Sequence, residues 1–208
     1  MKTSLSRPLR NVAFALLAAM ASPALFAAPS VTPEPQSASA LPVDSVYQLS
    51  VALTDQLGRT SQLADRRGQP ALVSMFYTSC QAVCPMLVDA LRDTEAKLSA
   101  QERTRLSILM VSFDPEHDTV NVLRRTADER GLDSAHWTLA RTDAKSVRKF
   151  AAVLGIQYRA LKNGDFNHTS ALILLDADGR VSGRTTQLGN ADPAFVKVVK
   201  AAVQRPSL

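Results

Sequence analysis

Ala71-Leu72-Val73-Ser74-Met75-Phe76-Tyr77-Thr78-Ser79-Cys80-Gln81-Ala82-Val83-Cys84-Pro85-Met86-Leu87 is the stretch on which the fold turns. Its first seven residues form an apolar run after Gly68-Gln69-Pro70, which predicts a strand buried on both faces. From Pro85 onward Met86, Leu87, Ala90, Leu91, Thr94 and Leu98 recur at helical spacing, which predicts an amphipathic helix to about Ser99. Cys80 and Cys84 fall in the join. Proline is tolerated in the first helical turn and disfavours helical dihedrals in the residue before it, so Cys84 is expected at the N-cap and Cys80 in the loop above. Both sulfurs then lie at the positive end of the helix dipole, which favours thiolate over thiol.

On the N-terminal side, Tyr47 to Leu53 alternates apolar and polar residues, and Asp55-Gln56-Leu57-Gly58 turns it back into Arg59 to Leu63, a hairpin. On the C-terminal side Leu106 to Phe113 reads as a second buried strand and Thr119 to Arg130 as a helix closed by Gly131. A short strand, Trp137 to Ala140, is followed by a helix from Ala144 to Leu154, capped by Asp143 and ended by Gly155. Gln157 to Leu161 is a segment for local pairing. Ser170 to Leu175, the turn Asp176-Ala177-Asp178-Gly179 and Val181 to Thr185 make a hairpin, and Asp192 to Gln204 is a final helix begun by Pro193. A βαβ unit followed by an antiparallel ββα unit is the order of an α/β, thioredoxin-like fold, here with an added N-terminal β-hairpin.

Lys2, Arg7 and Arg10 precede an apolar run from Val12 to Met20 and then Ala21-Ser22-Pro23-Ala24, the layout of a secretory signal peptide. Residues 1–27 are read as that signal, with cleavage after Ala24 or Ala27, or as a short membrane anchor where cleavage fails. Residues 28–44, rich in Ala, Pro and Ser, read as a flexible tether. Residues 45–208 are the size of one ordinary domain. The chain has 24 basic and 19 acidic residues, and losing the leader removes three cations. What remains is nearly neutral, and it offers neither a basic stripe nor the stacking aromatics that nucleic-acid binding would need.

Cys80 and Cys84 are the only two cysteines, and an exported protein meets an oxidising compartment. A stapling disulfide is the plainest reading, yet a ring this short gains only about 2 kcal/mol from loop entropy. A strand-to-helix junction is instead where this architecture displays reactive groups. The third residue between the cysteines lets the sulfurs separate around an ion. Copper(I) is soft and accepts two thiolates and an imidazole, whereas zinc usually takes a fourth ligand. Of the three histidines, His117 lies in an exposed loop beside Asp114 and Glu116, and His136 precedes the strand at Trp137. His168, in Asn167-His168-Thr169 just before a buried strand, is the histidine that the fold places near the cysteines. Asp114 and Asp118 read as a loop turn and a helix cap, with a role beside the site or at a partner as the alternative. Met86 could offer a thioether, but its spacing with Leu87 and Ala90 assigns it to the core, as the strands do Met75 and Met110.

Three motifs, Phe76-Tyr77-Thr78-Ser79-Cys80 to Pro85, Val111-Ser112-Phe113-Asp114-Pro115-Glu116-His117-Asp118-Thr119, and His168-Thr169 running into Leu174 to Gly179, occur in this order. With them the chain from about Val46 to Gln204 resembles the Sco (SenC) family of cytochrome oxidase assembly proteins. The resemblance implies a thioredoxin-like fold and copper, as copper(I) and also copper(II), held by Cys80, Cys84 and His168. It also implies a role in maturing the copper centre of cytochrome c oxidase. The partners implied are the oxidase's copper-site subunit, other periplasmic copper carriers and thiol reductases, met in the periplasm or on the extracytoplasmic face of a membrane that the N-terminus could hold. The family usually carries Pro-Asp-Val between the cysteines, where this chain has Gln81-Ala82-Val83, and Asp-Thr-Pro where this chain has Asp118-Thr119-Val120. The alternative function is a thiol-disulfide oxidoreductase that reduces the oxidase copper-site cysteines. A thiol peroxidase is disfavoured, because by resemblance it wants threonine where Tyr77 stands.

Overall fold

The computed structural model describes residues 40–205. The expected signal and most of the expected tether therefore lie outside the described residues. Leu41 to Asp44, read above as the tether's end, lie against the domain. Leu41 packs on the core, Pro42 accepts from the Ser45 N–H at 3.0 Å, and Asp44 pairs with Arg180 at 3.1 Å. No helix among the described residues is long and apolar enough to cross a membrane.

The elements in chain order are β1 (Ala52–Asp55), β2 (Thr60–Gln62), β3 (Ala71–Phe76), α1 (Val83–Ala96), α2 (Ala100–Arg103), β4 (Ser107–Ser112), α3 (Val120–Glu129) and β5 (Trp137–Arg141). They are followed by α4 (Ala144–Val153), β6 (Tyr158–Ala160), β7 (Phe166–His168), β8 (Leu172–Leu175), β9 (Val181–Thr185) and α5 (Pro193–Gln204). Seven strands form one sheet in the order β2-β1-β5-β4-β3-β8-β9, and β6 and β7 form a separate hairpin. β3 lies parallel to β4 and antiparallel to β8, and β4 lies parallel to β5. All six residues of β3 are buried, as a strand covered on both faces requires. This is the βαβ-then-ββα core expected, with the first hairpin added beyond β5.

Two boundaries differ. The alternation from Tyr47 suggested a strand to Leu53, but Val46–Gln48 is a 3₁₀ turn and the strand begins at Ala52. Tyr47 is drawn out of extended conformation because its ring is buried against Gly179, where φ is +82° and an added Cβ would stand 2.5 Å from Tyr47 Cδ2. The hairpin attaches through β1 pairing with β5 and through buried Gln56 in its turn. The Gln56 amide donates to the Trp137 carbonyl at 2.8 Å and accepts from the Leu139 N–H at 2.9 Å, satisfying edge groups of β5. Asp143 caps α4 as expected, and Thr119 and Asp192 likewise accept from first-turn N–H groups of α3 and α5. The end of the long apolar helix is corrected, since α1 stops at Ala96 and Ser99 caps a separate short helix.

Candidate metal centre

β3 ends at Phe76 in the middle of the sheet, so the chain must leave the core through Tyr77 to Ala82 before α1 starts at Val83. Ala82 is the N-cap and has no side chain to satisfy the first-turn N–H groups. The Cys80 sulfur does so instead, accepting from the Cys84 N–H at 3.3 Å. Burial raises the Cys80 thiol, but this bond, the contact with the Cys84 thiol and the N–H groups of Val83 and Ala82 together bring it below the ordinary range. Cys84 is not the N-cap expected from Pro85. It is the second residue of α1, with Pro85 third, a position still free of any need for an N–H donor. Its side chain points inward to a small cavity it shares with Thr126, Arg130 and Leu139, and burial pushes its thiol well up. The helix terminus therefore favours thiolate at Cys80, as expected, and not at Cys84. Both thiols are free and hydrogen-bonded to each other.

His168 was expected in a loop. It is the last residue of β7, paired with Tyr158 of β6, because the polar run Asn167-His168 folds back on Tyr158 to Ala160. Its ring lies 4.9 Å from that of Phe113 and 6.0 Å, edge to face, from that of Tyr77. Nδ1 lies 3.3 Å from the Thr169 carbonyl and 3.4 Å from the Ser170 hydroxyl, and in the tautomer that donates to that carbonyl the Nε2 lone pair is free to ligate. Burial lowers the imidazole's pKa against the opposing effect of that bond, so the ring is neutral at neutral pH. Cys80 and His168 line one open cleft with Gln81, Val83, Phe166 and Ser170. Cys84 touches that cleft only through Cys80. Among the described residues no three of His, Cys, Asp and Glu are gathered closely enough to hold an ion as they stand.

Neither other histidine lines the cleft. The His117 side chain is 81% exposed and bonds Asp114 at 2.8 Å, and His136 is half-buried where the chain enters β5. Met75 and Met110 are core, but Met86 is 43% exposed, against expectation. The buried stripe of α1 runs through Cys84, Leu87, Val88 and Leu91, and Met86 falls about 150° from its centre. It abuts Gly189 instead.

Two further residues stand beside the site: Tyr77, which the sequence did not single out for it, and Asp118, for which that place was the alternative to a helix cap. Tyr77 stands 5.1 Å from the Phe166 ring, and its hydroxyl, pushed up to about 12 by burial, bonds the Cys80 side chain. Asp118 was expected to cap α3, but Thr119 does that by accepting from the Val122 N–H. Asp118 is buried and accepts from the Thr78 N–H, the Thr78 hydroxyl and the Ser112 hydroxyl. The signal was present in the Asp118-Thr119 doublet: two capping residues precede one helix, and only one can serve it.

Comparisons with known proteins bear on the family and the fold. A family model described as SCO1/SenC matches residues 42–203. The SCO1 protein homolog of Bacillus subtilis (strain 168) is 26% identical over 130 residues, covering 61% of this chain and 67% of that protein. The crystal structure of a SCO1/SenC family lipoprotein from Bacillus anthracis str. Ames superposes with a TM-score of 0.66 at 22% identity, over 75% of this chain and 95% of that one. The structure of Bradyrhizobium japonicum ScoI with copper bound gives 0.57 at 23% identity, over 76% and 97%.

Proposed function

The chain belongs to the SCO1/SenC family, and on that premise we propose that it is an exported copper-binding metallochaperone serving the copper centre of a respiratory cytochrome c oxidase. The observation that carries the reading is the cleft in which the Cys80 thiol, backed by the Cys84 thiol, faces a neutral imidazole with a free Nε2. Two soft sulfurs and one imidazole suit copper(I), and the fold match to a copper-bound relative supports it. Copper is the cargo. Cys80 and Cys84 give up their protons to hold it, and His168 approaches to complete three-coordination. Cys80 and His168 line a cleft that opens to one side, as transfer to a copper-site subunit requires, and residues 1–27 would deliver the domain to the periplasm or its membrane face.

Titrating copper(I) into the reduced full chain against a competing chelator tests this. One ion should bind tightly to the wild type, and Cys80→Ser and Cys84→Ser should each abolish tight binding. Equal affinity in all three removes the reading.

A second reading is favoured by the inequality of the thiols. Cys80, of lowered pKa and lining the cleft, is placed to attack a partner's disulfide. Cys84, closed off behind it, would then lose its proton, attack the mixed disulfide and release the partner's dithiol, leaving a Cys80–Cys84 disulfide. Such a reductase needs no His168.

A further inference from the structure

Asp118 is 1% exposed, and no ion pair to it exists among the described residues. A buried carboxylate without a counter-charge is costly, so what it holds matters. On one side it holds Thr78, accepting from the backbone N–H at 3.2 Å and from the hydroxyl; Thr78 lies two residues before Cys80. On the other it holds the Ser112 hydroxyl, whose oxygen in turn accepts from the Asp114 N–H at 2.9 Å. Ser112 and Asp114 flank Phe113, the ring against which His168 rests. One carboxylate thus anchors the loop that carries Cys80 and the turn that carries the support of His168.

We propose that Asp118 is a positioning residue that fixes Cys80 relative to His168 across the cleft and holds the Cys80 sulfur on the N-terminus of α1. Its effect on copper rests on the function proposed above, but its effect on the dithiol does not. Loosening the Thr78 loop should cost copper affinity, because the donors no longer meet at one point. It should also favour the Cys80–Cys84 disulfide, because the reduced form loses its N–H bond to sulfur.

The test uses the full chain as wild type, Asp118→Asn, Thr78→Val and Val199→Ala. Asparagine keeps the shape and turns one acceptor into a donor. Valine removes the hydroxyl bond and keeps the N–H bond. Val199, fully buried in α5, supplies a loss of stability remote from the cleft. Asp118→Asn should weaken copper(I) binding by about 10- to 100-fold, the range for lost supports of a ligand. Equilibrated with glutathione without metal, it should shift the dithiol–disulfide constant by about tenfold towards the disulfide, about 30 mV. Thr78→Val should move both quantities less, in the same direction, and it decides the matter if Asp118→Asn does not fold. Val199→Ala should lower the melting temperature and move neither. An unchanged potential in Asp118→Asn and Thr78→Val overturns the proposal, as does a Val199→Ala variant that reproduces their shifts. A wild type that binds no copper refutes the copper function, and the potential still decides the role of Asp118.

Discussion

Replacing His168 by Phe and, separately, by Ala divides its ligand role from its packing role. The ring is half-buried, 4.9 Å from Phe113 and 6.0 Å from Tyr77. Aromatic pairs contribute about 0.5–1.5 kcal/mol each beyond area burial, so with partial exposure Ala should cost about 1–2 kcal/mol. In a domain of this size that lowers the melting temperature by about 2–8 °C. Phe keeps a ring in the cluster and should lose far less. Both variants lack Nε2, so both should weaken copper(I) by at least about 10- to 100-fold, which is about 1.4–2.8 kcal/mol. A pH series adds a second reading. Burial holds the native imidazole below its ordinary 6.5, so between the two values the unfolded chain binds the extra proton and the native one does not. The contribution of His168 to stability is therefore present above about 6.5 and lost as pH falls towards the depressed native value. That component should vanish in His168→Phe. Copper competition against a chelator at neutral pH, with melting curves from pH 5 to 8, measures all of this. Wild-type copper affinity in the Phe variant would refute the ligand assignment, since packing alone would then explain the residue.

Two further outcomes follow from the same geometry. Brief alkylation of the reduced protein at neutral pH should label Cys80 well ahead of Cys84, because one thiol is acidified and lines the cleft while the other is buried with its pKa raised; peptide mass spectrometry showing equal or reversed labelling would contradict this. Gly179→Ala should lose about 2–5 kcal/mol in urea unfolding, combining the cost of an L-residue at positive φ with overpacking against Tyr47, and a loss below 1 kcal/mol would show that the Tyr47 contact yields easily.

The parts of the fold that announced themselves were those in which burial and local chemistry agree. β3 and β4 read as apolar runs because both faces are covered, and Asp143 was identifiable as a cap, the hydroxyl of its neighbour Thr142 being taken by the Ala52 carbonyl. Legibility failed where tertiary contact chooses between local options. Asp118 and Thr119 are both good caps, and only the buried hydroxyls of Thr78 and Ser112 decide which is used. Tyr47 alternates like a strand residue, and its place under Gly179 makes it a turn. β6 and β7 are only three residues each and none of these is fully buried, so no apolar alternation marked the hairpin that carries His168. For the candidate site, the partnership of the two cysteines was visible in spacing. Their unequal depth was not, because Pro85 fits several positions in a first helical turn and the sequence does not say which.

That depth gives meaning to the loop between the cysteines, where the chain departs from the family's usual Pro-Asp-Val. Ala82 occupies the N-cap of α1 and offers no acceptor. An aspartate there would stand where N-cap carboxylates accept from the second and third residues of the helix. Here the second is Cys84 and the third is Pro85, which has no N–H. The carboxylate would therefore compete with the Cys80 sulfur for the Cys84 N–H, and would add a negative charge beside it. With Ala82 the sulfur receives that N–H unopposed, and Gln81, bonded to the Ser79 carbonyl at 3.4 Å, brings no charge either. The substitution thus leaves the positive end of α1 to Cys80, which strengthens it as thiolate donor and as attacking group alike. It cannot by itself choose between copper delivery and disulfide reduction. That choice falls to His168, on which the proposed copper site depends and thiol exchange does not.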